Sequence, residues 1–160
     1  MKKINTVSLI LLILLTLAGC AGQPQSKWRD EFVFYADGVE IEVGDDVDEV
    51  ITRLGKPNRI ASAPSCAGLG CDELYIYNGF KISAYCEGDE CEIVAIELTN
   101  DTRQTPEGIS IGAPESSVIE VYGAGRDFVG GVEYISDDCR LQFYLSDGRV
   151  SGIKYLKYGD

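Results

Sequence analysis

The sequence predicts an α+β fold: two tandem helix-plus-antiparallel-sheet repeats that form one continuous sheet with helices on one face. Three observations predict it. Ile41-Glu42-Val43-Gly44 recurs without a gap as Ile109-Ser110-Ile111-Gly112, and at the same offset Val50-Ile51 recurs as Val118-Ile119 and Gly55 as Gly123. Each glycine-ended strand leads into a stretch whose apolar residues fall at helical spacing. Each such stretch is followed by segments in which apolar and polar residues alternate, the period of a strand with one buried face.

Residues 1–19 read as a lipoprotein signal peptide. Lys2 and Lys3 precede an apolar run from Val7 to Leu17, the pattern of an export signal. The run is shorter than the roughly 20 apolar residues of a membrane span. It ends in Leu17-Ala18-Gly19-Cys20, which resembles the bacterial lipobox. That resemblance implies cleavage before Cys20 and a lipid on its thiol, so that the membrane itself is a partner. Residues 20–30 are small and polar and read as the lipidated N-terminus and a tether. The expected location is the extracytoplasmic side of a cell membrane.

Residues 31–104 hold the first repeat. Phe32, Phe34, Val39 and Ile41 around Asp37-Gly38 make a hairpin. Val47, Val50, Ile51 and Leu54 form one helical stripe, Asp46 with Glu49 resembles a capping box, and Gly55 with Pro57 beyond it stops the helix. Three strands are expected at about 73–78, 80–86 and 91–98, the middle one alternating Phe80, Ile82, Ala84 and Cys86 with Lys81, Ser83 and Tyr85. Residues 105–160 hold the second repeat. Pro114 suits the first helical turn, Val118, Ile119 and Tyr122 make the stripe, and Gly123 the stop. Strands are expected at about 131–136, 139–145 and 149–156, with Leu141, Phe143 and Leu145 alternating with Arg140, Gln142 and Tyr144. Asp147-Gly148 is a hairpin turn between the last two.

Composition narrows the function. The chain has 14 basic against 26 acidic residues, a net charge of −12, which repels nucleic acid phosphates. It has no histidine, the commonest general base and transition-metal ligand. No carboxylate pair, nucleophile elbow or phosphate-cradling loop stands out, so neither an enzyme, a cofactor nor a metal site is expected.

Beyond Cys20, five cysteines remain, in a compartment where disulfides persist. Cys66 and Cys71, and Cys86 and Cys91, share the same spacing and are disulfide candidates. The second pair flanks a turn and can meet across a hairpin. An odd number leaves a thiol free or pairing between molecules. Cys139 aligns with Phe80 and is expected to be buried as a small apolar residue, the alternative being a bond to Cys66 or Cys71.

The pattern strand-Gly-helix-Leu-Gly-x-Pro followed by antiparallel strands, in Val43-Gly44 through Leu54-Gly55-Lys56-Pro57 and again in Ile111-Gly112 through Tyr122-Gly123, resembles the beta-lactamase-inhibitor-protein-like repeat. More distantly it resembles the small lipoprotein of the outer-membrane barrel-assembly machinery. Thr105-Pro106-Glu107-Gly108-Ile109 resembles lipoproteins of Gram-positive, clostridial bacteria, which implies a Gram-positive surface rather than a periplasm. The inhibitor resemblance implies that the open face of the sheet grips a protein. Tyr75, Tyr77, Lys81, Tyr85, Arg140 and Tyr144 are expected to point away from the helices, and tyrosine and arginine are residue types enriched in interface hot spots.

The expected function is a membrane-anchored, non-catalytic module that binds or scaffolds an envelope or extracellular protein. The alternative is a calcium- or small-ligand-binding envelope lipoprotein, motivated by Asp45-Asp46-Val47-Asp48-Glu49 and Glu87-Gly88-Asp89-Glu90, although neither has calcium-loop spacing.

Overall fold

The computed structural model describes residues 31–66 and 70–158; the signal peptide, Cys20 and the tether lie outside the described residues. Among the described residues, no helix is long and apolar enough to cross a membrane.

A hairpin of β1 (Phe34–Ala36) and β2 (Val39–Ile41) opens the fold. Asp37 and Gly38 turn it with φ of 51° and 81°, the left-handed pair that a two-residue hairpin matched to strand twist requires. Phe34, Ala36, Val39 and Ile41 are buried while Tyr35 and Glu40 face out.

Helix α1 (Val47–Leu54) starts where Asp46 accepts hydrogen bonds from the backbone N–H groups of Asp48 and Glu49, at 2.9 and 3.1 Å. Val47 and Val50 are buried, with Ile51 and Leu54 packed against the core. The backbone at Gly55, with φ 83°, ends the helix.

Strands β3 (Arg59–Pro64), β4 (Cys71–Ile76), β5 (Phe80–Glu87) and β6 (Glu90–Leu98) follow, then helix α2 (Glu115–Tyr122). The chain closes with β7 (Arg126–Phe128), β8 (Gly131–Ile135), β9 (Cys139–Ser146) and β10 (Arg149–Lys157). Among the described residues the fold is α+β, with two helices, the small hairpin sheet and one continuous antiparallel sheet of eight strands in the order β3-β4-β5-β6-β10-β9-β8-β7. The middle of that sheet is the pairing of β6 with β10, with Ile153 opposite Leu98 and Tyr155 opposite Ile96.

One face of the sheet carries the core. Phe80, Ile82, Ala84, Leu141, Phe143, Ile153 and Tyr155 meet the hairpin and both helices in a single buried cluster. The Phe34 ring stands 5.2 Å from Phe80 and 5.9 Å from Tyr155, and the Tyr122 ring 5.2 Å from Phe143. Thr105, buried and bonded in both directions to Ile109 (2.8 and 3.2 Å), lies 2.9 Å from the Tyr122 hydroxyl, which donates to Glu107.

Three elements depart from expectation. Strands β3 and β7 add a fourth strand after each helix. Both lie at sheet edges, where β3 is mostly exposed and β7 has three residues, so neither shows the alternation that marks a half-buried strand. Pro114 is the N-cap of α2 rather than a residue of its first turn. Ile119 is 49 % exposed; Val118 and Tyr122, one turn apart, take the buried stripe, with Val121 beside them.

The disulfide joins Cys86 to Cys91 across the β5–β6 hairpin, with a Cα separation of 4.0 Å. Cys66 and Cys71 are free thiols, contrary to their pairing as candidates. The residue facing Cys71 across β3–β4 is Pro64, and Cys66 lies exposed beyond the end of β3. Cys139 is a free thiol on the core face, 2 % exposed, and is bonded to neither. Burial pushes its thiol up to about 12.

Candidate protein-binding face

The face of the sheet turned away from the core is set by alternation. Because Phe80, Ile82 and Ala84 point into the core, Lys81, Ser83 and Tyr85 point out; because Leu141 and Phe143 point in, Arg140, Gln142 and Tyr144 point out. Four of the expected residues therefore share this face: Lys81, Tyr85, Arg140 and Tyr144.

Register then builds something single strands do not show. Arg59, Ile76, Lys81, Glu97, Lys154, Gln142, Glu133 and Arg126 stand opposite one another in succession, one from each strand, and form a row across the whole sheet. Its charged members alternate in sign over most of its length, which is the favourable arrangement for facing pairs. Lys81 Nζ lies 2.9 Å from Glu97, Gln142 Nε2 donates to Glu133 Oε2 at 2.9 Å, and Arg126 Nε donates to Glu133 Oε1 at 2.7 Å. Arg140 Nε approaches Glu133 Oε2 at 3.4 Å from the next row. That next row (Ala61, Leu74, Ser83, Ala95, Leu156, Arg140, Ile135) is mainly apolar.

Glu133 is the centre of this network and is only 3 % exposed. Burial alone would raise its pKa; the hydrogen bond from Gln142 and the guanidinium groups of Arg126 and Arg140 outweigh burial and hold the carboxyl below its ordinary value. The Tyr144 hydroxyl donates to Gln142 Oε1 at 3.1 Å, and its ring meets Phe128 edge-on at 5.2 Å. The Arg140 guanidinium sits 4.7 Å over the Tyr158 ring. The arrangement is a held array of charges, amide and aromatic edges, with a hollow lined by Glu97, Tyr144, Gly152 and Lys154 beside it.

Tyr75 and Tyr77 do not belong to it. Tyr75 faces Ile82 on the core side and is 4 % exposed, its hydroxyl donating to Glu73. Tyr77 stacks on Phe80 at 4.9 Å, and its hydroxyl donates to the Gly55 carbonyl at 3.0 Å, fastening the end of α1. In Leu74-Tyr75-Ile76-Tyr77 both parities are apolar, so alternation could not say which tyrosines turn inward. Glu133, Gln142 and Arg126, which sequence reasoning passed over, are joined by cross-strand register, although Gln142 already alternates with Leu141 and Phe143.

The acidic clusters are used locally. Asp45 accepts from the Glu42 N–H at 2.9 Å, Asp46 caps α1, and residues 87–90 turn the β5–β6 hairpin. The sulfurs of Cys71 and Cys86 and a Glu73 carboxylate oxygen lie within 4.8 Å of one another, a spacing that could hold a metal ion. With Cys86 bonded to Cys91, however, only Cys71 and Glu73 remain as ligands.

No family model and no curated protein matches the chain. Among solved structures, it is similar to an extracellular protein containing a SCP domain from Bacillus anthracis str. Ames, with a TM-score of 0.53 and 16 % sequence identity. The likeness covers 71 % of this chain and 43 % of that one, so the chain spans less than half of that protein's length. At this identity it shows a shared fold over the matched part. It replaces the resemblance to inhibitor-protein repeats and to the two kinds of lipoprotein, which nothing found here supports. A glycine-ended strand, a short helix and antiparallel strands are what any helix-on-sheet unit needs, so that pattern is not specific to one family.

Proposed function

We propose that the chain is a non-catalytic protein-binding or scaffolding module, tethered by lipid on Cys20 to the extracytoplasmic side of a membrane, that holds its partner on the open face of the eight-stranded sheet. The observation that carries this reading is the row from Arg59 to Arg126. It has four basic and two acidic members on a chain whose net charge is −12. A row more basic than its surroundings, beside an apolar one, suits an envelope or extracellular protein that presents carboxylates next to apolar groups. Lys81, Tyr85, Arg140 and Tyr144 are its contacts, and Glu133 and Gln142 hold two of them in place.

The reading includes a duplication, with residues 31–104 and 105–160 as its two repeats. Gly44 and Gly112 have φ of 96° and 92°, and each donates its N–H at 2.7 Å, to Ile93 and Val150 respectively. Gly55 and Gly123 end their helices with φ of 83° and 79°, donate to Ile51 and Ile119 at 2.8 Å, and accept a tyrosine hydroxyl, Tyr77 or Tyr134, at 3.0 Å. Equivalent glycines make equivalent bonds, which supports descent from one unit.

The test is site-specific photo-crosslinking in the native envelope, with a benzoyl-phenylalanine placed at Tyr85, at Tyr144 or at Ile119, which is exposed on α2. One defined adduct from Tyr85 and Tyr144 and none from Ile119 is the expected result. Adducts from Ile119 alone, or from all three positions alike, would remove the open face from the function.

A further inference from the structure

Three cysteines form a row of their own. Cys71 on β4 stands opposite Cys86 on β5, and Cys86 stands opposite Cys91 on β6, so the three side chains emerge on the same side of the sheet in the order 71, 86, 91. Cys86 and Cys91 share the disulfide, while Cys71 is a free thiol whose sulfur is within 4.8 Å of the Cys86 sulfur. Thiol–disulfide exchange requires the attacking sulfur to approach one sulfur of the bond from the side away from the other. A central strand with one neighbour on each side supplies that geometry. Cys71 reaches Cys86 from one flank, and Cys91 leaves from the opposite flank. Direct attack on Cys91 is ruled out, because two strand spacings of about 4.8 Å separate it from β4.

We propose that Cys71, Cys86 and Cys91 form an internal thiol–disulfide exchange site with two bonded states, Cys86–Cys91 and Cys71–Cys86. Cys71 gives its proton to solvent, and the thiolate attacks the Cys86 sulfur. The Cys71–Cys86 bond forms as the Cys86–Cys91 bond breaks, and Cys91 leaves as a thiolate that takes a proton from solvent. One disulfide and one thiol stand on each side of the reaction, so no oxidant or reductant is consumed. The position of the free thiol changes, from β4 to the foot of the β5–β6 hairpin. Among the described residues, a depression lined by Ser62, Ala63, Pro64 and Gly70 adjoins Cys71 and Cys86.

Two measurements test this on the full chain. In the first, the native protein is incubated without reductant at a mildly alkaline pH, where ordinary thiols ionise. It is alkylated with iodoacetamide, and the labelled cysteines are mapped by peptide mass spectrometry. Label accumulating on Cys91, and disappearing in Cys71→Ser, is the expected result; Cys91 protected throughout would overturn the proposal. In the second, Cys91→Ser removes the original bond while leaving the other two sulfurs in place. After mild air oxidation, a Cys71–Cys86 bond protecting both residues from alkylation is expected. Cys71 and Cys86 both remaining alkylatable in this folded variant would overturn it.

Discussion

Gln142 Nε2 donates to Glu133 Oε2 at 2.9 Å, and this bond joins β9 to β8 within the charge row of the open face. Without it, a nearly buried carboxylate loses one of the groups that offset its burial. Gln142→Leu is therefore expected to lower stability by about 1–2 kcal/mol, checked by urea unfolding at neutral pH.

The same carboxylate sets a response to acid. Glu133 has a folded pKa below its ordinary value of 4.5, so its contribution is complete above that value and is lost as pH falls through the folded one. Glu133→Gln is expected to unfold at a lower denaturant concentration than the native chain at pH 7, with the gap closing toward pH 3. A gap of the same size at both values would remove the ion network from the acid response.

Cys139 gives the opposite sign. Its ordinary value of 9.0 is raised to about 12 in the fold, so its contribution is present below pH 9 and is lost as pH rises toward 12. Cys139→Ala, although destabilised by the lost sulfur at neutral pH, is expected to show a shallower loss of stability between these limits. In the native chain, Cys139 is expected to resist iodoacetamide until the protein unfolds.

Gly44 and Gly112 occupy left-handed backbone at φ of 96° and 92°, and a Cβ added to either would meet no heavy atom closer than 3.5 Å. The cost of Gly44→Ala or Gly112→Ala is thus conformational, at about 1–2 kcal/mol. The two substitutions are expected to cost nearly the same by thermal unfolding.

The two helix starts are expected to differ. Asp46→Ala removes a side-chain cap and is expected to cost about 1 kcal/mol. Pro114→Ala, at a start with no side-chain cap bond, is expected to cost clearly less in the same assay.

Much of the fold was legible because periodicity and glycine chemistry are local. Asp37-Gly38, the Asp46 cap, the stops at Gly55 and Gly123, and the alternation of β5 and β9 need only neighbouring residues to be read. The edge strands were not legible, since Arg59–Pro64 buries neither face and so leaves no period. The open face was half legible. Lys81, Tyr85, Arg140 and Tyr144 follow from the buried residues beside them, whereas Tyr75, in a segment apolar on both parities, and Tyr77, just past the end of β4, pack against the core. The join of Glu97 to Lys154 arises from pairing between β6 and β10, distant in the chain, and the place of Glu133 and the sulfur row through Cys71 from cross-strand register, neither of which alternation along one strand encodes.

The central place of β10 has a consequence for how the chain reaches its native state. Strand β10 lies between β6 and β9 and follows both in the chain, so a nascent chain made only as far as Ser146 has no segment to join the two halves of the sheet. Until β10 is made, β6 exposes a nine-residue edge that carries Ile93, Val94, Ile96 and Leu98 and is open to pairing with other chains. Completion of the sheet consequently waits for the synthesis of β10, and a nascent chain lacks its final topology until Arg149–Lys157 has been made.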